Sequence, residues 1–294
     1  MCNLHVVIAD FNGFSRTRLC LEALRAADRP DVSIIVVDHG TTPETREGLA
    51  AGFPEVVRVE ASPSLWWTGA TNCGIRHALA AGAESIMLLN NDCYLAPGAL
   101  QELLRVHAGT PEAIVAPVQR EWPDGRLLVV TARSLFLLGF PTLKGSCRLT
   151  AAQEAAGVLP TALIIGGRGV IIPAALFARV GFFDEVALPH YGADHDFYHR
   201  ARAQGVRLLV ATRASVAIDT RSTTLAEAPE RLTLAQFRET LSSVRSHQNL
   251  RDVGMLFRRH YPLPGLWWVG ACLYTGRYVL RYALKRARFL LAGG

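Results

Sequence analysis

Residues 85–100 read SIMLLNNDCYLAPGAL, and the break after Leu89 decides how the chain is folded. SIMLL has the length and apolar character of a buried strand, yet it gives way to two amides and a carboxylate, Asn90, Asn91 and Asp92. Such groups are unfavourable at the end of a buried strand unless a turn or a ligand uses them. Beyond them, LAPGAL looks like a helix entry with proline in its first turn. A turn and a binding site both fit this stretch alone, so the neighbouring segments must discriminate between them.

Working back toward the N-terminus, HVVIAD (5–10) and VSIIVVDHG (32–40) are β-branched runs of strand length. Between them SRTRLCLEALRAA carries Leu19, Leu21 and Leu24 at helical spacing. VVRVEA (56–61) reads as a third strand, TNCGIRHALAAGA (71–83) as a helix closing on glycine, and SIMLLN as a fourth strand before the helix APGALQELLRVHA. This alternation predicts an α/β fold with a mostly parallel sheet covered by helices. In such sheets ligands bind outside the carboxyl ends of the strands. Asp10, Asp38 and the Asn90–Asp92 group stand at three such ends, which favours a site over three separate turns.

The 294 residues are half apolar, 8% aromatic and 19% charged, an ordinary globular composition that argues against extensive disorder. The six cysteines form no CxxC, and MCNLHVVIADFNG lacks the basic start and long apolar run of a signal peptide, so reduced thiols in a cytoplasmic protein are expected. The net charge of +6 is unevenly placed: residues 251–294 carry eight basic side chains against one acid, leaving −1 for residues 1–250. The main body shows no basic surface signature and no nucleic-acid motif, so no nucleic-acid partner is expected.

Five segments occur together in order: VVIADFNG, IIVVDHGTT, SLWWTGATNCGIRHAL, LLNNDCYL and GFFDEVALPHYGADHDFYHRARAQG. As a set they resemble the family 2 nucleotide-sugar glycosyltransferases of the GT-A fold, most closely their rhamnosyltransferase-like branch, over roughly residues 4–225. The resemblance implies a GT-A catalytic domain over 1–250. It implies inverting transfer of a sugar from a UDP- or dTDP-sugar, dTDP-rhamnose among them, to a cell-surface glycan or lipid-linked acceptor. Asp38 falls where the family's nucleobase-binding acid stands, and a carboxylate suits the imide N–H of uracil or thymine. Asp10, Trp67, Gly69, Asn72, Arg76, Asn90 and Asn91 fall on the donor side. One of the pair Trp66 and Trp67 is expected to stack on a sugar and the other to pack in the core, with Gly69 and Gly74 allowing close backbone approach.

The family's Asp-x-Asp metal motif falls on Asn90, Asn91 and Asp92, so an amide replaces its first acid. Mg2+ or Mn2+ takes oxygen ligands from one or two carboxylates plus phosphates and water, so Asp92 alone can suffice. Asp219, in ASVAIDTRSTT, stands where relatives place a further metal ligand, with a simple turn as the alternative. Asp194 occupies the position of the general base that removes the acceptor's proton. Helix capping is its alternative role. Ala193 replaces the family's glutamate, and Asp196 and Arg200, spaced i to i+4, are expected to pair on the helix face. His190, Tyr191 and His195 fall on the acceptor side. The spacings of His190, His195 and His199 match no zinc motif.

Residues 119–160 are irregular and read as hairpin-like acceptor-side structure. In the tail, 251–294, PLPGLWWVGACLYTG is an uncharged run of 15 residues, short of the roughly 20 needed to span a bilayer. RYVLRYALKRARFLL then sets Arg277, Arg281, Lys285 and Arg288 along one helical stripe opposite Val279, Leu280, Leu284 and Leu291. This pattern predicts an amphipathic helix lying peripherally on the anionic inner face of the cell membrane, with packing on the catalytic domain or a partner subunit as the alternative. A homo-oligomer stays open. A nucleotidyltransferase would need a phosphate-binding loop that ADFNGFSRTR fits poorly. A non-catalytic glycan- or nucleotide-binding relative is the other alternative, given Asn90 and Ala193.

Overall fold

The computed structural model describes residues 3–27, 29, 31–222 and 229–291. The N-terminal part runs β1 (Leu4–Asp10), α1 (Phe14–Arg25), β2 (Ser33–Asp38), α2 (Glu44–Gly52), β3 (Val57–Glu60), α3 (Trp66–Ala80), β4 (Ser85–Leu89), β5 (Cys93–Leu95) and α4 (Ala99–Gly109). The four expected strands and the expected helices α1, α3 and α4 are therefore present, and α2 is a helix that the sequence patterns did not mark. The helix expected over 71–83 begins earlier, at Trp66. Pro97 lies outside α4 rather than in its first turn, because Gly98 takes the left-handed N-cap conformation there.

The chain continues with β6 (Ile114–Glu121), β7 (Leu127–Val129), β8 (Ala132–Leu135), β9 (Phe140–Lys144), α5 (Ala151–Ala156), β10 (Val158–Pro160), β11 (Arg168–Pro173), α6 (Ala175–Val180), α7 (Ala193–Ala203) and β12 (Leu208–Ile218). It ends with α8 (Leu234–Thr240), α9 (Leu250–His260) and α10 (Trp267–Leu291). The irregular segment before Pro160 forms a two-stranded antiparallel hairpin, β8 with β9.

The main sheet has the order β10-β12-β6-β11-β4-β1-β2-β3, with β5 on β12 and β7 on β6. The β1–β2, β2–β3, β1–β4 and β6–β12 pairs are parallel, while β11 runs antiparallel between β4 and β6. From β1 the chain winds outward through β2 and β3, then returns to lay β4 on the other side of β1. That reversal opens a crevice at the carboxyl ends of β1 and β4, the place where such sheets take ligands.

Strand alternation builds the two layers. Leu4, Val6 and Ile8 of β1 join Leu21 and Leu24 of α1 and Leu100 and Leu103 of α4 on one face. Val7 points the other way, into a core with Ala70, Ile75 and Ala78 of α3 and Phe197 of α7. At Gly74 a Cβ would come within 2.5 Å of Val7 Cγ1 and 2.8 Å of Val37 Cγ2, so only glycine lets α3 lie this close to the sheet.

The segment from residue 251 does not stand apart from this body. Val253, Leu256 and Phe257 of α9 are buried, and Phe257 meets Phe136 edge-on at 5.3 Å. Asp196 of α7 is fully buried and pairs with its own-helix Arg200 at 2.8 Å, as the i to i+4 spacing predicts. It also accepts from Arg259 at 3.3 Å and is bonded to His260 at 2.9 Å, both at the end of α9. Burial alone would raise this carboxyl's pKa, but the hydrogen bonds from His260 and Arg200 outweigh it and hold the pKa at about 2.

Helix α10 lies with part of its basic face toward the protein. Arg277 donates to the carbonyls of Leu138 and Gly139 and covers the Phe140 ring at 3.7 Å. Lys285 pairs with Glu230 at 3.4 Å, and Tyr282 stacks on Phe237 at 3.9 Å. Leu280, Leu284 and Leu291 are left exposed, with the exposed Arg281 and Arg288 beside them. The expected stripe is thus divided: Arg277 and Lys285 serve internal contacts, and the leucines face outward. Among the described residues no helix is long and apolar enough to cross a membrane.

Candidate active site

The opening stretch resolves into both a turn and a site. β4 ends at Leu89, Asn90–Asp92 turn, and Cys93–Leu95 form β5 against β12. The three polar side chains then have separate tasks. Asn90 accepts at Oδ1 from the Trp67 indole N–H at 3.2 Å. Asn91 donates to Asp10 Oδ1 at 2.8 Å and to Thr17 Oγ1 at 3.1 Å. Asp92 accepts at Oδ1 from the Cys93 thiol at 3.3 Å, and its half-buried carboxylate lines a cleft of about 590 Å3.

Several of the residues read from sequence as donor contacts have partners within the protein. Asp10 is fully buried and accepts from Thr17 at 2.6 Å, from Thr45 and from Asn91, so it locks α1, α2 and the turn after β4 to the end of β1. Asn72 bonds the backbone of Phe183 and the Glu185 carboxylate. Arg76 lies half exposed, 3.5 Å from Glu185. A Cβ on Gly69 would meet only Leu65, one turn back. Asp38 sits buried at the end of β2, where it accepts from Arg58 Nε at 2.8 Å and from the Gly40 N–H at 3.3 Å. It lies apart from the cleft that Asp92 lines.

Trp67, Asn90, Asn91, Asp92, His190, Tyr191, Asp194 and His195 all line that cleft, although they come from three separate stretches of chain. Gly192, at φ 86°, is the N-cap of α7 and puts Asp194 in its first turn. Among the described residues no side chain caps this helix, and Asp194 Oδ1 accepts the N–H of its neighbour His195, at 2.8 Å. The capping role weighed for Asp194 is thus not the one it has. Trp66 and Trp67 diverge: Trp66 meets His190 at 5.6 Å, while Trp67 faces the cleft and touches Phe183 at 6.1 Å.

Asp219, expected as a second metal ligand, follows β12 directly and its N–H bonds the Asp92 carbonyl at 2.9 Å. Both its carboxylate oxygens are gripped by Arg221, at 2.9 and 2.8 Å, and these bonds hold its pKa below the usual carboxylate range. Among the described residues no three His, Cys, Asp or Glu side chains converge as a metal-ligand set. The site therefore offers a divalent ion one carboxylate, Asp92. That fits a small hard cation only where phosphates and water complete its shell.

Several residues of the cleft escaped sequence reading. Arg16, from the first turn of α1, and Arg168, at the start of β11, both line it. Arg168 Nη1 donates to Gln119 at 2.8 Å while its Nε is buried without a partner among the described residues. Arg16 forms no ion pair among the described residues, so it and Arg168 bring two cations to the cleft that Asp92 lines. The only sequence signal was local: Arg16 follows the FNG turn after β1, and Arg168 follows the Gly166–Gly167 pair.

His247 and Asp252 also line the cleft, from the loop and helix that begin the C-terminal segment. His247 stacks on Tyr191 at 3.7 Å, and burial, with Arg168 nearby, lowers its pKa to about 4. His190 is likewise lowered to about 4, first by burial and then by His247. Both imidazoles are neutral at pH 7, so they give this wall aromatic surface without positive charge.

Comparison with known proteins agrees with this geometry. A 185-residue stretch is 24% identical to the low-salt glycan biosynthesis hexosyltransferase Agl10 of Haloferax volcanii, covering 59% of this chain and 54% of that protein. The chain thus matches about half the length of that curated relative. In fold it resembles GalNAc-T7 solved with UDP, GalNAc and Mn2+ (TM-score 0.60, 15% identity, 75% of this chain and 44% of that one). It also resembles the 1–349 segment of S. aureus TarS (TM-score 0.55, 14% identity, 95% of this chain and 72% of that one). Residues 5–150 match the sequence model of glycosyl transferase family 2, and the α/β sheet described above is GT-A-like in fold.

Proposed function

We propose that the protein transfers a sugar from a UDP- or dTDP-sugar to a glycan or lipid-linked acceptor with inversion, and that Asp194 is the general base. The observation that supports this reading is one cleft holding an Asp194 carboxylate without a cation partner among the described residues, together with Asp92, Arg16 and Arg168. Arg16 and Arg168 are placed to neutralise a diphosphate, and Asp92 would hold Mg2+ or Mn2+ together with its phosphates. A bound divalent ion adds positive charge that stabilises the departing diphosphate. Asp194 takes the proton of the attacking acceptor hydroxyl as its oxygen closes on the anomeric carbon. Trp67, held by Asn90, gives the donor sugar a flat apolar wall. Asp38 reads the nucleobase imide N–H through Oδ1, which also accepts the Gly40 N–H, while Arg58 holds Oδ2.

Asp194→Asn tests the reading directly. It removes the base and keeps the shape, so transfer and donor hydrolysis should fall by at least about 100-fold, within the usual worth of a general base, while UDP affinity stays within a few fold. Near wild-type transfer would remove Asp194 from the role. A wild type that binds UDP yet neither transfers nor hydrolyses any UDP- or dTDP-sugar would instead support a non-catalytic binding protein. For α10, the exposed Leu280, Leu284 and Leu291 beside Arg281 and Arg288 support peripheral docking on an anionic lipid surface.

A further inference from the structure

Asp252 is the third residue of α9, only 4% exposed, and its Oδ2 is buried without a hydrogen-bond partner among the described residues. A buried carboxyl oxygen without a partner is costly and uncommon in folded proteins. Helix capping does not account for it: Asn249 Oδ1 already accepts the N–H groups of Arg251 and Asp252, at 2.9 and 3.4 Å. Nor does an ion pair, since the neighbouring Arg251 guanidinium donates to the Val186 carbonyl at 3.1 Å. Burial raises the Asp252 carboxyl to about 6, against only a partial opposing pull from Arg251.

Asp252 lines the same cleft as Asp194, and the surface around it is apolar and aromatic. Val253 and Leu256 of α9 contribute aliphatic walls. Tyr191, stacked on His247, and Tyr274 of α10, whose hydroxyl is held by Gln248 at 2.8 Å, contribute rings. Aromatic rings accept the C–H faces of a pyranose, and an acid with a free oxygen accepts its hydroxyls. Arg16 and Arg168, which suit a diphosphate, come from α1 and β11, whereas Asp252, Val253, Leu256 and Tyr274 come from α9 and α10.

We propose that Asp252 hydrogen-bonds a hydroxyl of the acceptor sugar, so that the C-terminal helices α9 and α10 form the acceptor subsite of the cleft. The proposal rests on the glycosyltransferase reading above. On it, the wall built by α9 and α10 selects the acceptor, and Asp252 orients it toward Asp194.

Saturation-transfer NMR with methyl glycosides of glucose, galactose, mannose, N-acetylglucosamine and rhamnose, with UDP present, tests this without turnover. Wild type and Asp194→Asn should both give signal with at least one glycoside. Asp252→Ala should weaken that glycoside by at least about tenfold, the worth of one hydrogen bond to a charged group. Asp252→Asn, which keeps an accepting oxygen, should lose less. Circular-dichroism melting checks that both variants are folded. Unchanged glycoside binding in Asp252→Ala, or no glycoside binding to wild type, would overturn the proposal. Donor hydrolysis by wild type, lost in Asp194→Asn, reports separately on the underlying reading.

Discussion

Replacing Asp196 by asparagine removes the one anion on which Arg200, Arg259 and His260 converge, and with it the clamp between α7 and α9. The carboxyl is depressed from 3.8 to about 2, and at about 1.4 kcal/mol per unit this amounts to roughly 2–3 kcal/mol of stability at pH 7. The two arginines left facing a neutral amide bring the loss to roughly 3 kcal/mol, the lower end for a broken buried pair, because each arginine is about 30% exposed. At about 2–4 °C per kcal/mol for a domain of this size, Asp196→Asn should melt about 6–12 °C below wild type at pH 7. Because the group's folded pKa lies below its unfolded value, its contribution is complete above about pH 4 and disappears as pH falls through about 2. The gap between the two proteins should therefore shrink to about half at pH 3. Thermal melts by circular dichroism at both pH values measure this directly. Melting temperatures within 1 °C at pH 7, or a gap that does not narrow at pH 3, would refute the anchoring role.

Asp252 carries the opposite sign: its raised pKa withdraws stability as pH climbs from about 4 to about 6, so Asp252→Asn should melt above wild type at pH 7.5, by up to about 3 kcal/mol, and match it near pH 4. Arg168→Ala and Arg16→Ala should each weaken UDP by about tenfold or more in calorimetry and leave uridine unaffected, since a nucleoside has no diphosphate to engage; equal losses for both ligands would contradict the assignment. CDP should bind at least tenfold more weakly than UDP and dTDP if Asp38 reads an imide N–H, and equal affinities would remove that role. Paired Leu280→Ser and Leu284→Ser should reduce co-sedimentation with anionic vesicles while the fold is kept, because both side chains are exposed in the free protein; unchanged sedimentation would count against the lipid surface.

The local patterns were sufficient for β1 to β4 and for α1 and α3 between them, though not for α2, since strand length, β-branching and helical spacing are short-range properties that the sheet then satisfies. They also marked the polar break after Leu89, because a carboxylate and two amides at a strand end stand out from their apolar neighbours. Sequence could not divide the labour among Asn90, Asn91 and Asp92, or show that Asp10 is consumed by Thr17, Thr45 and Asn91. Those partners lie up to 81 residues away, and whether an oxygen is free depends on every donor the fold brings to it. The same limit hid Arg16, Arg168, His247 and Asp252, which belong to no periodic pattern and meet only when α1, β11 and α9 close around one cleft. On α10 the charge stripe was legible as a pattern, but its direction was not. A helix's period fixes which residues share a face, whereas the surface that face meets is chosen by the rest of the fold, here Glu230 and the carbonyls of Leu138 and Gly139.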